Sequence, residues 1–155
     1  MINTAEKEHI YDRVNDFYIV MDWISDSQFN SSKKRAEEDL KEKKLHFILI
    51  ADEEVKSKFD QVTNITVLTK KSFNVLGKLK RPDELSFLAT NDEKVIVYFC
   101  TEINKLVNKL RKTISHGIHV SYMNEKMTNF DLTFRVDLGN EGALLNQTKK
   151  YLKRL

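Results

Sequence analysis

The sequence predicts an α/β fold: a three-layer sandwich with a five- or six-stranded, mostly parallel sheet, flavodoxin-like or half of a doubly wound sheet. Two observations carry that expectation. Short continuous runs of β-branched and aromatic residues recur along the chain, and segments with helical periodicity separate them. Continuous rather than alternating runs mark strands covered on both faces, and connections of helix length suit the crossovers of βαβ units.

The elements follow in order. Phe17-Tyr18-Ile19-Val20-Met21, closed by Asp22, reads as the first buried strand. Ser31 and Ser32 offer caps for a helix over Lys33 to Leu45, whose narrow stripe is Ala36, Leu40 and Leu45. A second strand runs from His46 to Ala51. Glu53 to Gln61 reads as a short helix, with Val55 and Phe59 on one face and acids in the first turn, where the helix dipole favours them. Ile65-Thr66-Val67-Leu68 forms a third strand.

Lys70 to Pro82 breaks this rhythm and is the longest predicted loop. A short helix over Asp83 to Ala89 and a strand over Val95 to Cys100 come next. Thr101 stands as N-cap to a helix whose Ile103, Leu106, Val107, Leu110 and Ile114 share one face. Ile118 to Tyr122 is a further strand. Phe130 to Val136 alternates and reads as a half-solvated edge strand; Glu141 to Leu155 closes the chain as a helix.

Composition narrows the function classes. A length of 155 residues fits one domain, 1–155, with a polar extension over 1–16. The four glycines are too scattered for either a dinucleotide-binding turn or a phosphate loop. A single cysteine provides neither an internal disulfide nor a zinc cluster, so no metal or cofactor is expected and the chemistry suits a reducing cytoplasm. No apolar run reaches the ~18–20 residues that span a bilayer, and the N-terminal segment lacks the apolar core of a signal peptide. No membrane association is expected. Acidic residues outnumber basic ones through residue 69, whereas the rest of the chain carries the excess behind the net charge of +3.

The segment Lys71 to Arg81, with Val95 to Phe99, Ile118 to Tyr122, Asp131-Leu132 and Tyr151-Leu152, resembles a family of short bacterial proteins of unknown function. That family carries an aromatic-Asn-Trp-aromatic-Gly-Lys segment after its third strand, then a strand of the form Asp-Leu-Leu-Ile-Asn. Phe73, Asn74, Gly77 and Lys78 match the segment, while Val75 and Leu76 stand where it has two bulky aromatics. The resemblance implies the α/β fold and no particular activity.

In such a sheet, ligands bind outside the carboxyl ends of the strands. Lys70, Lys71, Phe73, Asn74, Gly77, Lys78 and Thr101 are the candidate ligand-binding residues, with five cations between Lys70 and Arg81 to hold an anion. Asp22 and Glu102 are the candidate catalytic pair, since two neighbouring carboxylates push one pKa upward. Cys100 reads as a small buried hydrophobe and Trp23 as a cover over the core edge.

The leading expectation is a non-catalytic binding or interaction protein whose partner is another protein or a small anionic ligand. The alternatives are an enzyme acting on a phosphorylated or nucleotide-sugar ligand at the strand ends, and weak nucleic-acid binding through the basic C-terminal part. A pI near 8.8 falls below the level that marks a nucleic-acid domain. The edge strand adds self-association as a homodimer.

Overall fold

The computed structural model describes residues 8–74, 76, 78–88, 90, 92–102, 104–114, 116–123 and 129–155. Six strands form one sheet: β1 (Asp16–Asp22), β2 (Lys44–Ile50), β3 (Ile65–Leu68), β4 (Lys94–Tyr98), β5 (Ile118–Tyr122) and β6 (Leu132–Phe134). Their order is β3-β2-β1-β4-β5-β6, and every pairing is parallel. Strand order therefore reverses between β1 and β4. The helices are α1 (Ile10–Arg13), α2 (Asp26–Asp39), α3 (Glu53–Lys58), α4 (Lys105–Thr113) and α5 (Glu141–Leu152); 3₁₀ turns occupy Lys70–Ser72 and Pro82–Leu88.

Each sheet face has its own core, because successive strand side chains point opposite ways. Phe17, Ile19 and Met21 of β1 face a layer of α1, α2 and α5 that contributes Tyr11, Phe29, Ala36, Leu144 and Leu152. Tyr18 and Val20 face the other layer, where Leu85 and Leu88 join Val107 and Leu110 of α4 and Ile114 at its C-terminal cap. Covering both faces explains the continuous apolar runs: all five residues of β4 are buried, Lys94 among them.

Several boundaries differ from the sequence reading for local reasons. α2 begins at Asp26, not after Ser31 and Ser32, because Ser25 caps it by accepting the Gln28 backbone N–H at 3.1 Å. Ser32 lies inside that helix, buried against α5, and donates to Glu141 at 2.7 Å. Lys44 and Leu45 belong to β2 rather than to a helix end, with Lys44 N–H donating to Asn15 at 2.8 Å. α4 starts at Lys105 with Asn104, not Thr101, as its cap.

β6 is shorter than the alternation over Phe130 to Val136 suggests. The Asp131 carboxylate accepts the His119 backbone N–H at 2.8 Å, and Val136 N–H turns back to Phe134 O at 3.0 Å. Both bonds end strand pairing. The polar N-terminal segment contains α1, and Tyr11 and Val14 are buried in the core. No helix among the described residues is long and apolar enough to cross a membrane.

Candidate functional site

A cleft of about 800 Å³ lies at the carboxyl ends of β2 and β3, facing the start of α4. Ile50, Ala51 and Asp52 at the end of β2 and Thr69, Lys70 and Lys71 after β3 form one wall; Asn104, Lys105, Leu106 and Lys109 of α4 form the other. Elements from both wings of the sheet thus meet across it.

Local bonding fixes each wall. Asp52 caps α3 by accepting the Val55 N–H at 3.0 Å. The Thr69 hydroxyl donates to Glu53 at 2.6 Å and accepts the Lys71 N–H at 3.2 Å, while Thr69 N–H donates to Ser72 Oγ at 2.9 Å. That reciprocal cap pins Lys70 and Lys71 to the end of β3. Asn104 accepts the Val107 N–H at 2.9 Å and so sets the first turn of α4.

The lining carries more cations than acids. Asp52 and Glu53 are the two acids, and each already accepts a hydrogen bond from the protein. Lys70, Lys71, Lys105 and Lys109 are the four cations, and the ion pairs among the described residues join Arg13 to Glu93, Lys56 to Glu84 and Lys58 to Asp26 instead. The first turn of α4 carries Lys105 and no acid, an arrangement the helix dipole disfavours unless an anion sits nearby. Ile50, Ala51 and Leu106 add an apolar floor.

Of the residues singled out in the sequence, Lys70 and Lys71 line the cleft. Phe73 is buried beneath the second layer and pairs with Leu79 in an isolated antiparallel bridge. Asn74 Oδ1 accepts the N–H groups of Leu76 and Lys78 at 2.9 and 3.0 Å, so its side chain shapes the loop. Gly77 lies outside the described residues. Lys78 and Thr101 are exposed and do not line the cleft.

Asp22 is the last residue of β1 and Glu102 lies in the connection beyond β4; neither lines the cleft. Burial raises the Asp22 carboxyl above its ordinary range, a hydrogen bond with Cys100 lowers it, and the charge of Glu102 raises it further. Burial also pushes the Cys100 thiol up, which keeps it protonated and poorly nucleophilic. Trp23 packs against Phe29 and Phe59, with ring centres 5.7 and 5.6 Å away.

Among the described residues no group of three His, Cys, Asp or Glu side chains is placed to hold a metal ion. Part of the basic C-terminal cluster packs within the fold: Lys149 donates to Asp39 O at 2.7 Å, and Lys153 lies 5.1 Å from the centre of the Tyr11 ring.

The cap at Asn104 and the place of Lys105 and Lys109 opposite Lys70 and Lys71 escape a reading by composition, in which those two lysines belong only to the basic C-terminal part. The findable signal is the Asn104 cap three residues before Val107, which moves the helix start and turns Lys105 into a first-turn residue. The model of one family, described as a family of unknown function, matches residues 2–155. No curated protein and no solved structure matches the chain significantly.

Proposed function

The chain belongs to DUF6913, a family of unknown function, and from that premise we propose that it is a binding protein for a small anionic ligand, held in the cleft between the β3 turn and the start of α4. The observation that carries this reading is the lining itself: four lysines, outside the ion pairs among the described residues, converge with the capped N-terminus of α4 over an apolar floor. Lys70 and Lys71 hold the anion from one side, Lys105 and Lys109 from the other. Charge-assisted bonds to such an anion are stronger than neutral ones and weaken with added salt. The Rossmann-like character of the sheet, in its strand order and its ligand position, belongs to the same proposal.

Titration with inorganic phosphate, followed by amide chemical shifts, tests it. Shifts centred on Lys70, Lys71 and Asn104 to Leu106, lost in the Lys70→Ala/Lys105→Ala variant, are expected. Shifts spread over the basic end of α5, or none at all, would overturn the reading.

A further inference from the structure

A second recess, of about 370 Å³, adjoins the cleft, and Lys71 and Glu53 line both. Its other wall is formed by the returning arm of the basic loop. Lys80 N–H donates to Ser72 O at 2.9 Å and Asn74 N–H to Lys78 O at 2.7 Å, which folds Lys80 and Arg81 back beside Lys71. The charges there are unequally committed. Lys56 pairs with Glu84 at 2.9 Å, and Glu53 accepts the Thr69 hydroxyl. Beyond that ion pair, Lys71, Lys80 and Arg81 face two carboxylates, Glu53 and Asp60, which leaves the recess with an excess of positive charge.

Resting on the anion-binding reading above, we infer that the ligand is elongated: a molecule with linked phosphoryl groups, whose first phosphoryl lies among Lys70, Lys71 and Lys105 and whose chain passes Lys71 into the recess toward Lys80 and Arg81. The apolar floor of the main cleft takes the uncharged body of the molecule. Lys71 is the pivot that both spaces share. A single compact anion occupies only part of the first space and leaves the cations of the second unused.

The experiment compares inorganic phosphate with tripolyphosphate by isothermal titration at fixed ionic strength, on the full chain and on Lys80→Ala/Arg81→Ala. Both substituted side chains are exposed, and a thermal melt checks that the variant folds. Tripolyphosphate is expected to bind the unaltered chain roughly tenfold or more tightly than phosphate. In Lys80→Ala/Arg81→Ala that advantage collapses while phosphate affinity stays put.

Lys150→Ala/Arg154→Ala removes the same charge from exposed positions at the end of α5 and is expected to keep the advantage. Equal loss in this control would reduce the effect to net charge and overturn the inference. Equal affinity for the two anions in the unaltered chain would overturn it too, yet leave the single-anion reading standing. Failure of both anions to bind overturns both.

Discussion

The hydroxyl of Tyr98 on β4 lies 2.8 Å from Nδ1 of His119 on β5, with both side chains buried between the sheet and α4. Burial raises the Tyr98 hydroxyl and lowers the His119 imidazole, so at neutral pH the phenol donates and the ring is uncharged. The proton then sits on Nε2, 3.4 Å from the carbonyl of Ile114 at the C-terminal cap of α4. This chain of contacts ties two strands to the helix that brings Lys105 and Lys109 to the cleft.

Tyr98→Phe keeps the ring and deletes the donor, leaving Nδ1 unpaired. A loss of about 1–2 kcal/mol is expected. Urea denaturation measures it, and an unchanged midpoint would show that the hydroxyl contributes nothing.

Lys94 is the other polar group sunk in β4. Its ammonium donates to the carbonyls of Thr90, Asp92 and His116 at 2.9, 3.0 and 3.0 Å, which closes the loop before β4 onto the turn before β5. Burial lowers its pKa, and the charges of Asp92 and Asp16 oppose that shift. Lys94→Met preserves the stem and strands three acceptors, at a cost of about 2–4 kcal/mol. A calorimetric melt of the variant that overlays the unaltered protein would contradict this role.

His46 makes stability depend on pH. Its ring lies tilted at 30° to that of Phe87 with centres 4.3 Å apart, Nε2 meets Thr66 Oγ1 at 2.9 Å, and burial lowers its pKa to about 4. Since an unfolded histidine titrates near 6.5, the unfolded chain takes up a proton first as pH falls, and the native state loses stability between about pH 6.5 and 4. Part of the ring remains solvated, which limits the loss to about 2 kcal/mol. His46→Gln is expected to flatten the pH profile in that window, while His119, shifted in the same direction, leaves a residual slope. An unflattened profile would clear His46 of the effect.

The strands were legible because burial on both faces writes itself as unbroken apolar runs, as in Phe17 to Met21 and Val95 to Tyr98. The start of α2 was obscured by Ser27, Asn30, Ser31 and Ser32, poor helix formers that lie inside it. Burial of Phe29, Ser32 and Ala36, with the Ser32 bond to Glu141 of α5, holds the helix there, although the Ser-x-x-Gln pattern from Ser25 to Gln28 offers a start signal. The wall at Lys70 and Lys71 could be foreseen, since strand ends in such sheets are known places for ligands. The opposite wall depends on where α4 lies over the sheet, a long-range packing outcome with no local signature.

Asn104 separates the structural role of a helix cap from the cleft's affinity for anions. Its side chain holds the Val107 N–H, as Asn140 holds that of Ala143 at the start of α5. Asn104→Ala and Asn140→Ala should each cost about 1 kcal/mol, the usual consequence of losing such a cap. Their effects on binding should differ, because Asn104 lines the cleft and Asn140 does not. Asn104→Asp sharpens the comparison, since aspartate caps a helix as well as asparagine does but adds a negative charge among Lys70, Lys105 and Lys109. Stability near that of the unaltered chain with phosphate affinity reduced roughly tenfold is expected for it. If Asn104→Asp binds phosphate undiminished while Asn140→Asp does the same, the anion does not lie against the start of α4.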